Sequence, residues 1–297
     1  MKVFVTGATG HIGAAVVTEL LEAGHQVTGL ARSDQAAAAL ETAGITPYWG
    51  DLADPDGLAA AAAASDGVLH LAFRHDFSDY AGAADTDLRA VQAMGEALAG
   101  SGRPLVITSG TLLLALLGQK APATEHDILP GGPRIDSENV VLALAERGVR
   151  ASAIRLAPLV HSTLDRHGFA HHLIGVARKT GVSAYIGDGS NRWPAVHTLD
   201  AARLYRLALE DAPAGSLLHG VADEGVPFRD IADVIGRHLQ VPVTSMPLAD
   251  AGHFGFLSAF VPVDNPTSST LTQKLLDWHP EGPGLIEDLD AGHYFDE

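Results

Sequence analysis

The stretch VFVTGATGHIGAAVV, at residues 3–17, constrains the fold of this chain more than any other part of the sequence. It places Gly7, Gly10 and Gly13 between a run typical of a β-strand and a run typical of an α-helix. Gly7 permits a tight turn, Gly10 lets the backbone approach a pyrophosphate, and Gly13 lets the helix pack closely on the sheet. The N-terminus of that helix offers N–H donors to an anion. The spacing predicts a dinucleotide-binding unit, with a purely structural glycine turn as the alternative.

Strand-like and helix-like segments alternate through the first half of the chain, from KVFVTG to RASAIRLAPLV. This alternation predicts a parallel sheet with helices on both faces. We therefore predict an α/β fold in which residues 1–162 form a Rossmann-type, doubly wound NAD(P)-binding domain. Residues 163–297 are richer in His, Gly and Pro and predict mainly a smaller C-terminal substrate lobe. One helix and one strand around residues 198–221 are expected to return to the Rossmann sheet.

Charge and composition exclude several classes of protein. The net charge of −17 argues against a nucleic-acid partner, because binding phosphates requires a surplus of Lys and Arg. The chain has no Cys, which excludes disulfides and thiolate chemistry. The apolar run TLLLALLG is too short to cross a bilayer, and MKVFVTG enters a strand directly, without room for a secretory signal. We expect a soluble cytoplasmic protein without a membrane partner.

The end of the second predicted strand, LARS, indicates which dinucleotide is bound. Sites specific for NAD usually carry an acidic residue here, which accepts from the ribose 2′-hydroxyl. Arg32 could instead pair bidentately with a 2′-phosphate, with help from Ser33. The motif therefore favours NADP(H) over NAD(H). The alternative is that Arg32 is only a solvated surface charge.

Further cofactor contacts are expected where the next strands end. Asp51, in GDL, is suited to accept from the adenine amino group, HLAF closes the fourth strand beside the cofactor, and Pro158 borders the nicotinamide. The complete set of predicted cofactor-binding residues is Gly7, Thr9, Gly10, His11, Ile12, Gly13, Arg32, Ser33, Asp51, Leu52, Leu71, Ala72, Phe73 and Pro158.

Several of these motifs together resemble the short-chain dehydrogenase/reductase superfamily, in its extended and atypical branches. The matching pieces are TGATGHIG, GDL, HLA, ITSGT, RLAPLVH and IGDGSNRWPAVHTLDAARL, and they cover nearly the whole chain. The last piece looks like the stretch with which extended members enter their substrate lobe. The resemblance implies a Rossmann fold, NAD(P) binding and a catalytic set of Ser or Thr, Tyr and Lys.

The sequence departs from the superfamily in this catalytic set. None of its tyrosines is followed four residues later by a lysine; they are Tyr48, Tyr80, Tyr185, Tyr205 and Tyr294. In the segment GGPRIDSENVV, where the catalytic helix is expected, Arg134 and Glu138 occupy the four-residue spacing. This indicates an atypical member that has lost the standard proton donor. Ser109 and Thr111 remain as hydroxyls that could orient a substrate carbonyl, although Ser109 is equally compatible with packing or capping.

Arg134 and Glu138 are the first candidates to replace the missing catalytic pair. A guanidinium stays charged near neutral pH, so Arg134 could stabilise an oxyanion or bind a substrate carboxylate but not donate a proton. Glu138 would hold Arg134 in place, or would titrate if burial raised its pKa. The alternative is a surface ion pair between residues on one helix face.

Histidines are a second source of acid, because their ordinary pKa is close to neutral. His161 is the candidate acid, and Arg192, Trp193 and His197 are predicted to face the substrate. For each histidine a structural role is the alternative, and Trp193 could equally pack the lobe. The cluster HGFAHH has no carboxylate at ligand spacing, so no metal is expected.

These residues predict an NADP(H)-dependent reductase of a small carbonyl compound or an imine. An imine suits the missing tyrosine, because an iminium arrives already protonated. One alternative is a non-catalytic NADP-binding regulator that senses the cofactor ratio. A nucleotide-sugar epimerase or dehydratase ranks last, because its first oxidation relies on a tyrosinate base. A homodimer is a reasonable expectation for such enzymes.

Overall fold

The computed structural model describes residues 1–74, 79–118 and 122–296. Its strands are, in chain order, β1 (Lys2–Thr6), β2 (Gln26–Ala31), β3 (Thr46–Trp49), β4 (Gly67–His70), β5 (Pro104–Gly110), β6 (Arg150–Leu156), β7 (Leu159–His161), β8 (Ser183–Ile186), β9 (Arg192–His197), β10 (Ser216–Gly220), β11 (Asp223–Pro227) and β12 (Val243–Met246). Its α-helices are α1 (His11–Glu22), α2 (Asp34–Thr42), α3 (Pro55–Ala63), α4 (Tyr80–Ala97), α5 (Leu112–Leu116), α6 (Ile135–Glu146), α7 (Phe169–Thr180), α8 (Thr198–Asp211), α9 (Phe228–Leu239), α10 (Thr270–Leu276) and α11 (Leu285–Asp290). A kinked 3-10 segment spans Leu248–Ala259.

The central sheet has seven parallel strands in the order β3-β2-β1-β4-β5-β6-β10. Strands β4 and β6 are buried almost throughout, as expected for a sheet covered on both faces. One apolar layer joins the sheet to α1, α2 and α8, and a second joins it to α3, α4 and α6. The predicted doubly wound α/β fold of the Rossmann type is confirmed. The strand order reverses between β1 and β4, which is where such sheets bind ligands.

The second half of the chain forms two small sheets and contributes to the large one. Strand β9 pairs in parallel with β7 and antiparallel with β11, while β8 and β12 form a separate parallel pair. An apolar cluster of their own holds these strands against α7, α9 and α11. Strand β10 pairs with β6 along the edge of the central sheet, and α8 packs on the same apolar layer as α1. In the part of the chain that the structure describes, no helix has the length and apolar character to span a bilayer.

Candidate active site

The glycine turn between β1 and α1 is shaped by two close backbone approaches. Gly7 has a φ of +74°, and a Cβ on it would lie 2.7 Å from the backbone nitrogen of Ala72, after β4. A Cβ on Gly13 would lie 2.0 Å from the carbonyl oxygen of Gly7. Neither distance can accommodate a side chain, so both positions require glycine. The resulting backbone cradle leaves the N-terminus of α1 facing the switch point of the sheet.

A cleft of about 650 Å³ opens beside this turn, within the range of cofactor sites. Its lining residues are Gly7, Thr9, Gly10, Leu30, Arg32, Ala36, Gly50, Asp51, Leu52, Leu71, Ala72, Phe73 and Arg74. Most of the side chains predicted to contact the cofactor are therefore brought together at one edge of the sheet. Four lining residues were not in the predicted set, although each lies within three residues of a predicted one in the sequence: Leu30, Ala36, Gly50 and Arg74.

Arg32 and Asp51 project from the ends of neighbouring strands at one end of the cleft. Arg32 follows β2 and is exposed, so its guanidinium is free to reach a phosphate at the mouth of the cleft. Asp51 follows β3, and its Oδ1 accepts from the backbone N–H of Ala53 at 2.9 Å. Ser33 uses its Oγ to accept from the N–H of Ala36 at 3.2 Å, which caps α2.

Some predicted cofactor residues turn their side chains away from the cleft. His11 Nε2 lies 2.8 Å from Thr198 Oγ1, and Ile12 packs on the apolar core. The expectation of side-chain contacts from His11 and Ile12 is corrected by this placement, which leaves them only backbone groups at the start of α1. Pro158 lies half-buried between β6 and β7.

The C-terminal end of β5 carries the two predicted hydroxyls. Ser109 is 5% exposed, and its Oγ has no hydrogen-bond partner among the described residues. Thr111 is fully buried, and its Oγ1 accepts from the side-chain amide of Asn265 at 3.1 Å. Thr111 therefore connects the end of β5 to the chain beyond β12 by a hydrogen bond, while the Ser109 hydroxyl has no partner among the described residues.

Arg134 lies at the same end of β5, where two contacts hold its guanidinium. Its guanidinium donates to the carbonyl oxygen of Thr108, the residue before Ser109. The same guanidinium lies 4.1 Å from the centre of the Phe73 ring, a cation–π contact. Arg134 also has a φ of +66°, the left-handed conformation that costs a non-glycine residue free energy. Strain of this kind is common at functional sites.

The predicted pairing of Arg134 with Glu138 is wrong. Helix α6 begins at Ile135, so Arg134 precedes the helix and does not share its face with Glu138. Glu138 is 1% exposed and forms a bidentate ion pair with the fully buried Arg155 of β6, with an Nη2–Oε2 distance of 2.6 Å. Glu138 therefore neutralises the buried charge of Arg155, while Arg134 contacts the Phe73 ring at the wall of the cleft.

A buried polar network, which sequence reasoning missed, connects β1 to α6. His70 at the end of β4 contacts Thr6 Oγ1 at 2.7 Å and Asp87 Oδ1 at 3.2 Å, and Ser137 donates to Asp87 Oδ2 at 2.8 Å. Burial alone would raise the pKa of Asp87, but the hydrogen bond from His70 and the charge of Arg134 hold it below its ordinary value. Asp87 therefore stays anionic within reach of the Arg134 charge.

His161 and His197 belong to a cluster inside the lobe. His161 is 1% exposed, its Nδ1 lies 2.8 Å from Asp288 Oδ2, and its ring centre is 5.7 Å from that of His197. Burial lowers the pKa of His197, which caps α8 through its Nδ1. Neither histidine lines the cleft of the described chain. His161 Nε2 has no hydrogen-bond partner among the described residues, but the expectation that it supplies the catalytic proton is corrected because the ring is enclosed in the lobe and does not line the cleft.

Arg192 and Trp193, at the start of β9, contact other residues of the lobe. Trp193 is fully buried, stacks edge-on against Phe228 at 5.2 Å and donates its indole N–H to the carbonyl oxygen of Val263. Its predicted contact with substrate is therefore wrong, since the lobe core encloses the ring. Arg192 is exposed and paired with Asp264, with an Nη2–Oδ2 distance of 2.9 Å. Within the described residues, no group of three His, Cys, Asp or Glu side chains is placed to hold a metal.

The switch-point cleft, the glycine cradle and the parallel sheet define a dinucleotide-binding enzyme fold. The family model "NAD dependent epimerase/dehydratase family" matches residues 3–217. The chain belongs to this family, which lies within the extended short-chain dehydrogenases/reductases. Membership indicates an NAD(P)-dependent enzyme of the oxidoreductase type.

Three individual proteins are similar to this chain over most of its length. The uncharacterized protein C2A9.02 of Schizosaccharomyces pombe is 51% identical over 296 residues, covering 99% of this chain and 100% of its own. The 2-alkyl-3-oxoalkanoate reductase of Stenotrophomonas maltophilia is 29% identical, over 78% of this chain and 74% of its own. The crystal structure of DesIV, a dTDP-glucose 4,6-dehydratase from Streptomyces venezuelae with NAD bound, has a TM-score of 0.77 at 18% identity and covers 99% and 96% of the two chains. This last likeness shows the fold alone.

Proposed function

We propose that the protein is an NADP(H)-dependent reductase of a small carbonyl compound. The observation that supports this most is the fixed Arg134 cation over Phe73, where the cofactor cleft meets the end of β5. A carbonyl that gains a hydride becomes an oxyanion, and a pre-placed cation in a partly dry site stabilises that charge.

The donors at the cleft support NADP(H) as the cofactor. Gly7 and Gly13 form the backbone cradle for a pyrophosphate, and Arg32 stands at the strand end where a 2′-phosphate would lie. When bound, the reduced nicotinamide supplies a hydride, with its electron pair, to the substrate carbon. Some structural neighbours, DesIV among them, hold NAD. The preference for NADP therefore rests on Arg32.

The chain's own residues then act on the substrate oxygen. Ser109 offers a hydroxyl without a partner among the described residues, which can orient the carbonyl by donating to its oxygen. Arg134 donates to the carbonyl oxygen of Thr108, the residue before Ser109, and its charge stabilises the developing negative charge. The 2-alkyl-3-oxoalkanoate reductase supports a ketone as the reducible group, because its printed name describes a 3-oxo substrate.

The test is a turnover assay with purified protein, NADPH and a panel of aldehydes, ketones, 3-oxo acids and cyclic imines. The loss of absorbance of the reduced cofactor is followed, and NADPH affinity is measured separately by titration. We expect turnover with at least one carbonyl compound. Tight binding of NADPH without turnover across the panel would contradict the reductase and favour the non-catalytic cofactor sensor.

A further inference from the structure

Tyr80, the first residue of α4, lies beside the part of the cleft that Arg134 covers. Its ring centre is 5.9 Å from that of Phe73, with an angle of 58° between the planes. Phe73 lines the cleft, and the Arg134 guanidinium lies 4.1 Å from the centre of the same ring. Tyr80 is half-buried rather than enclosed. A phenol, a wall of the cofactor cleft and a fixed cation therefore meet in one place.

Three other candidate acids around the site are buried. Tyr205 also lies within the field of Arg134, but it is fully buried and its hydroxyl pairs with Thr108 Oγ1 at 2.7 Å. His161 is enclosed in the lobe and bonded to Asp288. His70 is buried with both ring nitrogens in hydrogen-bond contact. Tyr80 is half-buried, and its ring contacts Phe73, which lines the cleft.

We propose that Tyr80 is the general acid of the reduction and that Arg134 stabilises the phenolate it leaves, an inference that rests on the proposed reductase function. The Oη–H bond of Tyr80 breaks as an O–H bond forms on the substrate oxyanion, so the product leaves as a neutral alcohol. The phenolate then takes a proton from water, which restores the acid. The missing Tyr-x-x-x-Lys pair is thus replaced by a tyrosine on α4 and an arginine before α6.

The surroundings of Tyr80 keep its hydroxyl protonated. Burial raises the pKa of Tyr80, the charge of Arg134 lowers it and that of Asp87 raises it, and the balance lies above the ordinary value. The phenol therefore keeps its proton at neutral pH and is available as an acid.

The activity test compares Tyr80→Phe with Tyr185→Phe as a matched control. Tyr185 lies in the lobe, with the Arg229 guanidinium 5.0 Å from its ring centre and donating to its hydroxyl, so the control removes a similar phenol far from the reaction. We expect Tyr80→Phe to lower kcat for carbonyl reduction by about a hundredfold or more with unchanged NADPH affinity, since that is the scale of general acid catalysis. If the unaltered protein is active and Tyr80→Phe keeps its full kcat, Tyr80 is not the proton donor, and the reductase function still stands. No turnover by the unaltered protein overturns the reductase as well.

A second readout needs neither turnover nor cofactor. The Tyr80 resonance of protein with isotope-labelled tyrosine is titrated by NMR in the unaltered chain and in Arg134→Gln, and is assigned through Tyr80→Phe. We expect the pKa of Tyr80 to rise when the Arg134 charge is removed, because the cation stabilises the phenolate. An unchanged pKa overturns the pairing of Tyr80 with Arg134, whatever the assay of turnover shows.

Discussion

Arg134 holds its guanidinium 4.1 Å from the centre of the Phe73 ring, so a fixed cation covers the wall of the cleft contributed by the chain after β4. Arg134 makes this contact from a left-handed backbone conformation, which glycine adopts without strain. The strained backbone of Arg134 lowers the stability of the fold somewhat, and it places a charge at the wall of the cleft.

Arg134→Gly tests separately what this residue contributes to kcat and what its strained backbone does to the free energy of unfolding. We expect kcat for reduction to fall by about tenfold or more, because the oxyanion loses a charged partner worth about 1.5–3 kcal/mol. The free energy of unfolding should fall little, since relief of the backbone strain offsets the lost bond to Thr108. Gln240→Gly, at another left-handed position after α9, is the control and should leave kcat unchanged. Chemical denaturation and steady-state kinetics check both, and an unaltered kcat in Arg134→Gly would rule out a role for the cation.

Arg32→Ala tests the choice of cofactor. The substitution should weaken NADPH binding by about tenfold or more and leave NADH binding nearly unchanged, because only the 2′-phosphate loses a charge-assisted partner. Calorimetric titration of both dinucleotides measures the effect. The control is Arg89→Ala, which removes an equally exposed arginine paired with Asp85 on α4. Equal losses for NADPH and NADH would show that Arg32 does not read the 2′-phosphate.

Gly13→Ala tests the close approach of α1 to the glycine turn. The new Cβ would lie 2.0 Å from the Gly7 carbonyl oxygen, so the turn must shift and we expect NADPH binding to be lost or severely weakened. Gly175→Ala is the matched control, because it lies exposed within α7 with nothing within 4 Å of a new Cβ. That control should gain up to about 1 kcal/mol of stability, as alanine is the better helix former. If Gly13→Ala binds NADPH as tightly as the unaltered protein, the glycine turn is not the cradle for the cofactor.

Much of the glycine turn and of the cleft beside it was predictable from sequence because the determinants are local. The turn needs glycines at fixed offsets within a few residues, and Arg32 and Asp51 follow strands whose parallel arrangement brings their ends together. The partner of Glu138 was not predictable, because Arg155 approaches it from a different element once α6 packs on the sheet. The burial of Trp193 depends in the same way on residues far along the chain that build the lobe core.

The ion pair of Glu138 and Arg155 yields a stability prediction independent of catalysis. Glu138→Leu should lower the free energy of unfolding by about 3–5 kcal/mol, because it leaves the Arg155 charge buried without its counterion. The double variant Glu138→Leu with Arg155→Met should recover much of that loss, since no buried charge remains. Denaturation of the two single variants and the double variant forms a thermodynamic cycle. Additive losses would contradict direct coupling of the pair.

The most direct test of the proposed reductase function follows the hydrogen that NADPH transfers to the substrate. Purified protein is incubated with NADPH deuterated at the transferring carbon and with the carbonyl compound that turns over fastest, and the product is analysed by mass spectrometry. The account predicts an alcohol with one deuterium on the former carbonyl carbon, formed by the unaltered protein and much more slowly by Arg134→Gly. An alcohol without deuterium, or no product from protein saturated with NADPH, would contradict it.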